Sequence, residues 1–246
     1  CFFLGTYTFT YVLSDNTNAA SAAINRTATV SITVSGMVWF VNNNATACTV
    51  AGCGRLSNPF STLAAFNTLN DNAGGTHPGN NDNIFIYESA IPYTGGITLL
   101  SGQKLVGQDS TQTLSAIAGI SPVTGSAALP AMNTGAPVAV IQNAGGNGIT
   151  LGSNNTLNGL TAGNASGSAI SGSGFGTLTA SNVIINSNGQ ALSLTNGVLS
   201  ATFSSVTSTG GTNNIALAKG AGTLTGTLTI SGGALSGATG NSFDIN

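Results

Sequence analysis

Gly148-Ile149-Thr150-Leu151, Ser168-Ala169-Ile170-Ser171, Gln190-Ala191-Leu192-Ser193-Leu194 and Asn214-Ile215-Ala216-Leu217 are four versions of one short phrase. Their apolar anchors, Ile149, Ile170, Leu192 and Ile215, stand 21, 22 and 23 positions apart, and Phe243 follows after 28. A period in the low twenties, with short apolar runs punctuated by Gly, Asn and Ser, points to a stacked solenoid. One unit of this size cannot bury its own apolar face, so it must lie on the next. The four anchors are therefore expected to form one interior core stack.

Around this repeat the 246 residues are almost free of charge. Only 4% are charged, against about 25% in an average soluble domain. With 41% hydrophobic residues the chain is nonetheless expected to fold, because disorder goes with few apolar residues and high charge. Net charge is −2. Four scattered cations, Arg26, Arg55, Lys104 and Lys219, cannot displace counterions from a phosphate backbone, so nucleic-acid binding is excluded. No apolar run is long enough for a membrane span. The start, Cys1-Phe2-Phe3-Leu4-Gly5, has neither a Met nor a charged leader, which leads us to expect a processed product or a piece of a longer protein.

Upstream of the repeat, residues 1–36 read as antiparallel β. Thr6 to Leu13 and Thr27 to Val34 alternate polar and apolar residues, the period of a half-buried strand. Two or three strands make no stable sandwich alone, so this segment either docks on the solenoid or takes partners from outside the chain. Residues 37–246 carry the solenoid. Met37-Val38-Trp39-Phe40-Val41 opens it as an apolar strand. Asn58 as N-cap and Pro59 at the first helical position predict a short helix through Leu69, suited to plugging the open first coil. Asn83 to Tyr87, Gly96 to Leu100 and Gln103 to Gly107 predict one three-sided coil. Residues 108–136, rich in Ala, Ser, Thr, Gly and Pro, predict a long projecting loop. Pro137 to Ile141 begins the regular stack. Ser242 to Asn246 is an anchor strand without the rest of its coil, which predicts exposed edges and core at that end.

Cys48 and Cys53 share one Gly-containing loop. A local disulfide fits an extracellular chain. Free thiols are the alternative, and a metal would need more ligands than two sulfurs and the distant His77. Cys1 is free or bonded outside the chain.

Val38-Trp39-Phe40-Val41, Gly54-Arg55-Leu56-Ser57-Asn58-Pro59-Phe60-Ser61-Thr62-Leu63, Asp82-Asn83-Ile84-Phe85-Ile86-Tyr87, Gly96-Ile97-Thr98-Leu99 and Leu105-Val106-Gly107-Gln108 resemble the opening coils of right-handed parallel β-helix proteins. These are the pectate-lyase-like domains of large secreted bacterial adhesin-like proteins. Gly5 to Tyr11 with Ala28 to Val34 looks like the end of a cadherin-like or immunoglobulin-like module. The resemblance implies an all-β fold, a right-handed three-sided parallel β-helix with a small antiparallel segment before it. It also implies a secreted or surface-exposed protein with an adhesive or structural role. Its partners would be other copies of the chain, neighbouring domains or surface glycans.

Enzymes on this fold use clustered carboxylates, calcium, or Arg and Lys bases. From 137 to 246 this chain offers only Lys219 and Asp244. The sole polar cluster worth naming is Asp82, Glu88, Lys104, Asp109 and His77. Asp82 reads as a turn or cap residue, and Glu88 as a surface partner of Lys104. No catalytic residue, cofactor or metal is expected. The runner-up is a carbohydrate-active β-helix enzyme. An ice-binding solenoid, drawn from Thr177-Leu178-Thr179, Thr223-Leu224-Thr225 and Thr227-Leu228-Thr229, ranks lower, because the ladder lapses at Leu199 to Phe203 and Thr favours strands anyway. Four Asn-x-Ser/Thr matches, at Asn25, Asn44, Asn154 and Asn164, are read as chance in an Asn-rich chain. Tyr11, Trp39, Tyr87 and Tyr93 are the aromatics considered for stacking on sugars, and of these Trp39 is assigned to the core.

Overall fold

The computed structural model describes residues 5–13, 26–34, 36–48, 52–122, 124–136 and 138–246. Cys1, Asn25 and Pro137 lie outside them. Strands β1 (Gly5–Leu13) and β2 (Arg26–Val34) pair antiparallel, with Tyr7 opposite Ile32 and Phe9 opposite Val30. Alternation places Tyr7, Phe9, Tyr11 and Ile32 on one face, where each is 42–51% exposed. The other face carries threonines, with the Thr6 and Thr33 hydroxyls 3.0 Å apart.

The rest is a parallel β-solenoid of about six turns. Its elements begin with β3 (Val38–Val41), α1 (Leu63–Leu69), β4 (Asn83–Ile86), β5 (Tyr93–Thr94), β6 (Ile97–Thr98), β7 (Lys104–Gly107) and α2 (Leu114–Ala118). They continue through β8 (Val140–Asn143), β9 (Ile149–Thr150), β10 (Thr156–Ala165), β11 (Ser168–Ser187), β12 (Gln190–Ser208), β13 (Ile215–Ala218), β14 (Leu224–Ile230) and β15 (Phe243–Ile245). Three ladders make the three sides. The first stacks Trp39, Ile84, Leu105, Leu157, Ala180, Ala201 and Leu228. The second stacks Tyr93, Ile141, Ala162, Ile185 and Val206. The third stacks Ile97, Ile149, Ile170, Leu192, Ile215 and Phe243. Ile149, Ile170, Leu192 and Ile215 are fully buried. Burying a side chain of this kind contributes about 1.5–3 kcal/mol, so the stack supplies the driving force each coil lacks alone.

Asparagine ties the turns together. The side-chain carbonyls of Asn147, Asn154, Asn164, Asn196 and Asn213 accept from the backbone N–H of Ser168, Thr177, Asn188, Thr223 and Asn241, each on the following coil, at 2.9–3.2 Å. Asn154 and Asn196 also hold left-handed φ values of 60° and 57°, which Asn tolerates better than other residues with a Cβ.

The first coil is closed. Helix α1 starts at Leu63 with Thr62 as N-cap, its hydroxyl accepting from Ala65 N–H at 3.1 Å. The expected cap, Asn58, instead pairs with Arg55 in a bridge and points its amide at Cys48 Sγ. The helix covers the edge of β6: Asn67 bonds Gly96 O and Thr98 N–H, and Asn70 bonds Thr98 O. The edge of β3 is covered by residues 54–60, through bonds from Phe40 N–H to Gly54 O and between Phe60 and both Phe40 and Asn42. Cys48 and Cys53 are joined as a disulfide beside it.

Residues 108–136 do not simply project. Thr113 caps α2, Leu114 and Ile117 are buried, and Gly119 ends the helix in the left-handed conformation. The helix packs on an outward row, Phe40, Phe85 and Val106, which Leu129 and Met132 also touch. The loop is a second layer because these strands are apolar on both faces.

At the other end, among the described residues, β14 pairs only with β12 and β15 only with β13. Leu199, Leu217, Leu224, Leu228 and Phe243 line an apolar cavity of about 380 Å³ there. Phe243 and Ile245 are 45% and 67% exposed.

Candidate functional site

The polar residues of the first coils are separated, each held by a different part of the fold. Asp82 is fully buried. It follows the turn from Gly79 and leads into β4, so its carboxylate meets three donors: Met37 N–H at 3.0 Å, Trp39 Nε1 at 2.7 Å and Gly79 N–H at 2.8 Å. Burial pushes its carboxyl above the usual range, against the pull of those bonds. This is a structural knot between β3 and β4 rather than a simple turn residue. His77 Nδ1 lies 2.9 Å from Asp71. The Asp71 carboxyl is lowered by the Ala73 N–H bond first and by His77 second.

The expected Glu88–Lys104 pair does not form. Both Glu88 oxygens accept from Asn133 Nδ2, at 2.8 and 2.7 Å. Lys104 Nζ donates to Ile117 O at 2.6 Å, at the carbonyl end of α2 where a cation is favoured. The competing acceptor comes from a helix that the residue pattern does not announce.

Asp109 lines a cavity. Its Oδ2 accepts from Ala139 N–H at 2.8 Å, and its Oδ1 is buried without a partner among the described residues. Burial raises its carboxyl, the Ala139 bond opposes this, and the charge of Glu88 raises it further. Thr111, Thr161, Asn182 and Ser204 share the cavity, of about 210 Å³. Among the described residues no three His, Cys, Asp or Glu side chains gather as metal ligands. Among those residues, too, no helix is long and apolar enough to cross a membrane.

The hydroxyl ladder continues further than its sequence motif suggests. Thr156, Thr179, Ser200 and Thr227 align in one outward row, and Thr177, Val198 and Thr225 in another. Ser200 keeps a hydroxyl where the Thr-x-Thr spelling lapses, while Val198 interrupts the second row. Of the four aromatics considered for sugars, Trp39 and Tyr93 are buried and Tyr87 is half-buried, leaving Tyr11 exposed. The Tyr93 hydroxyl donates to Tyr87 O at 2.8 Å. The side chains of Asn154 and Asn164 belong to the turn ladder. Sequence reasoning misses that ladder; Asn recurring in many of the turns is its trace.

The chain matches no family model, no curated protein and no solved structure.

Proposed function

We propose that this protein is a non-enzymatic extracellular structural or adhesive protein, a fibre subunit or a segment of a large surface protein. One observation carries this reading: Asp82, Lys104, Glu88 and His77 are each held by a separate partner, while the stacked coils present Ser, Thr and Asn. General acid–base chemistry needs positioned proton carriers facing one substrate. The disulfide supports an oxidising compartment. The unpaired edges of β14 and β15 suit β-augmentation by a neighbouring domain or another copy. The coil architecture supports the likeness to pectate-lyase-like domains of bacterial adhesin-like proteins.

A second reading, a polysaccharide lyase or hydrolase, is favoured by Asp109, whose raised carboxyl lines a cavity with Glu88 close enough to shift it further. Incubating the protein with acidic and neutral polysaccharides, with and without calcium, separates the two. We expect no new chain ends. Cleavage that disappears in Asp109→Asn would overturn the non-enzymatic reading.

A further inference from the structure

We propose that a groove at the corner after the second ladder binds a neutral oligosaccharide running along the solenoid axis. This deepens the adhesive reading above and rests on it. The groove is a cavity of about 640 Å³, and every side chain lining it is uncharged. Gln142, Asn164 and Asn188 come from three successive coils, since β8 pairs with β10 and β10 with β11. Successive coils lie about 4.8 Å apart, so the three amides form a row along the axis. Thr94 and Ser166 add hydroxyls beside it.

The hydrogen-bond accounting separates scaffold from binding groups. Asn143 is used at both ends: its Oδ1 accepts from Gly145 N–H and its Nδ2 donates to Asn147 O. Asn164 is used at one end. Its Oδ1 accepts from Asn188 N–H at 2.9 Å, which fixes the amide so that Nδ2 faces outward as a donor. The side-chain amides of Gln142 and Asn188 make no bond within the described residues. The backbone at Gly163 leaves room for Gln142 to lie flat, since a Cβ there would come within 2.9 Å of Gln142 Cγ. The groove therefore presents one pre-oriented donor between two amides that can both donate and accept.

Sugar hydroxyls also donate and accept, so this set matches them in pairs. With no cation in the lining, a polyuronate or sulfated chain would lose hydration without gaining a counter-charge. With no apolar side chain larger than alanine in the lining, a peptide's large side chains would find little to pack against. No aromatic ring stacks on the ligand, so affinity rests on hydrogen bonds that replace bonds to water and is weak, in the millimolar range.

The test is saturation-transfer NMR and calorimetry on the whole chain. The probes are tetramers of β-1,4-glucose, β-1,4-N-acetylglucosamine and α-mannose, with tetragalacturonate and a Gly-Ser peptide as comparators. We expect at least one neutral tetramer to bind and Gln142→Ala with Asn188→Ala to weaken it about tenfold, two hydrogen bonds' worth. Those two amides carry no internal bond, so the fold should be unaffected. Thr225→Ala with Thr227→Ala, on the two outward rows, should leave binding unchanged. The proposal falls if no neutral tetramer gives transfer, if the amide variants bind as well as the parent, or if tetragalacturonate or the peptide binds in preference. Chain cleavage would refute the non-enzymatic reading separately, since it appears as new ends rather than as lost affinity.

Discussion

Asp82 holds its carboxyl where no water reaches it, among three donors, two from the start of β3 and one from a turn. Replacing it with Ala leaves all three without their acceptor, and two of those bonds are buried. We predict a loss of about 3 kcal/mol in Asp82→Ala, read by urea unfolding. The pH dependence has a definite sign. The folded carboxyl is raised, so the stability it contributes is fully present below the unfolded value of 3.8 and is lost as pH rises through the folded value. Asp109 acts in the same direction. Melting temperature should hold or rise as pH falls from neutral to about 4, and a fall across that window would contradict the assignment. In the sequence, Asp82 is legible as a residue bearing on a turn. Its main partner is not, because Trp39 lies 43 positions earlier and only the stacking of β3 on β4 brings the indole to it.

Among the elements, the strands are easier to read than the pieces laid over them. Val38–Val41 and Asn83–Ile86 are nearly continuous apolar runs, which signals strands buried on both faces. That signal implies a covering layer, yet α2 escapes recognition because five residues carry no helical period. Its caps, Thr113 and Gly119, are the available clue. The capping helix is legible as an element, but its start is not, since Asn58 and Thr62 are both acceptable caps and only the second faces a free N–H. The turn ladder gives a sharper test. Asn196 supplies both a left-handed φ of 57° and an acceptor for Thr223 N–H. Asn196→Gly keeps the conformation and loses the bond, for about 1 kcal/mol. Asn196→Ala loses both, for about 2–3 kcal/mol. Equal losses in thermal unfolding would mean that the ladder bond, not the backbone, decides the position.

For the solenoid entire, the period alone predicts a stack and names four residues of its third interior column. What it leaves dark are relations across coils: the register of each turn, the closed edge at β6, and the groove whose amides lie more than twenty positions apart in the chain. Those depend on loop lengths that vary from coil to coil, which a repeat read by eye averages away. One of these relations bears on how the protein ages. Asn147-Gly148 and Asn196-Gly197 are the sequence most prone to spontaneous deamidation, in which the glycine nitrogen attacks the asparagine side-chain carbonyl to close a succinimide ring. In both turns that carbonyl is held by the next coil. The attacking nitrogen is held there too, with Gly148 N–H bonded to Ser168 O and Gly197 N–H to Thr223 O. Neither reactant can turn toward the other while the coils stay in register. Folded protein stored warm should accumulate isoaspartate at these positions far more slowly than the same chain in urea, as peptide mapping would show. At these two of the chain's four Asn-Gly pairs the stack thereby works as a chemical preservative, protecting a residue that would otherwise decay.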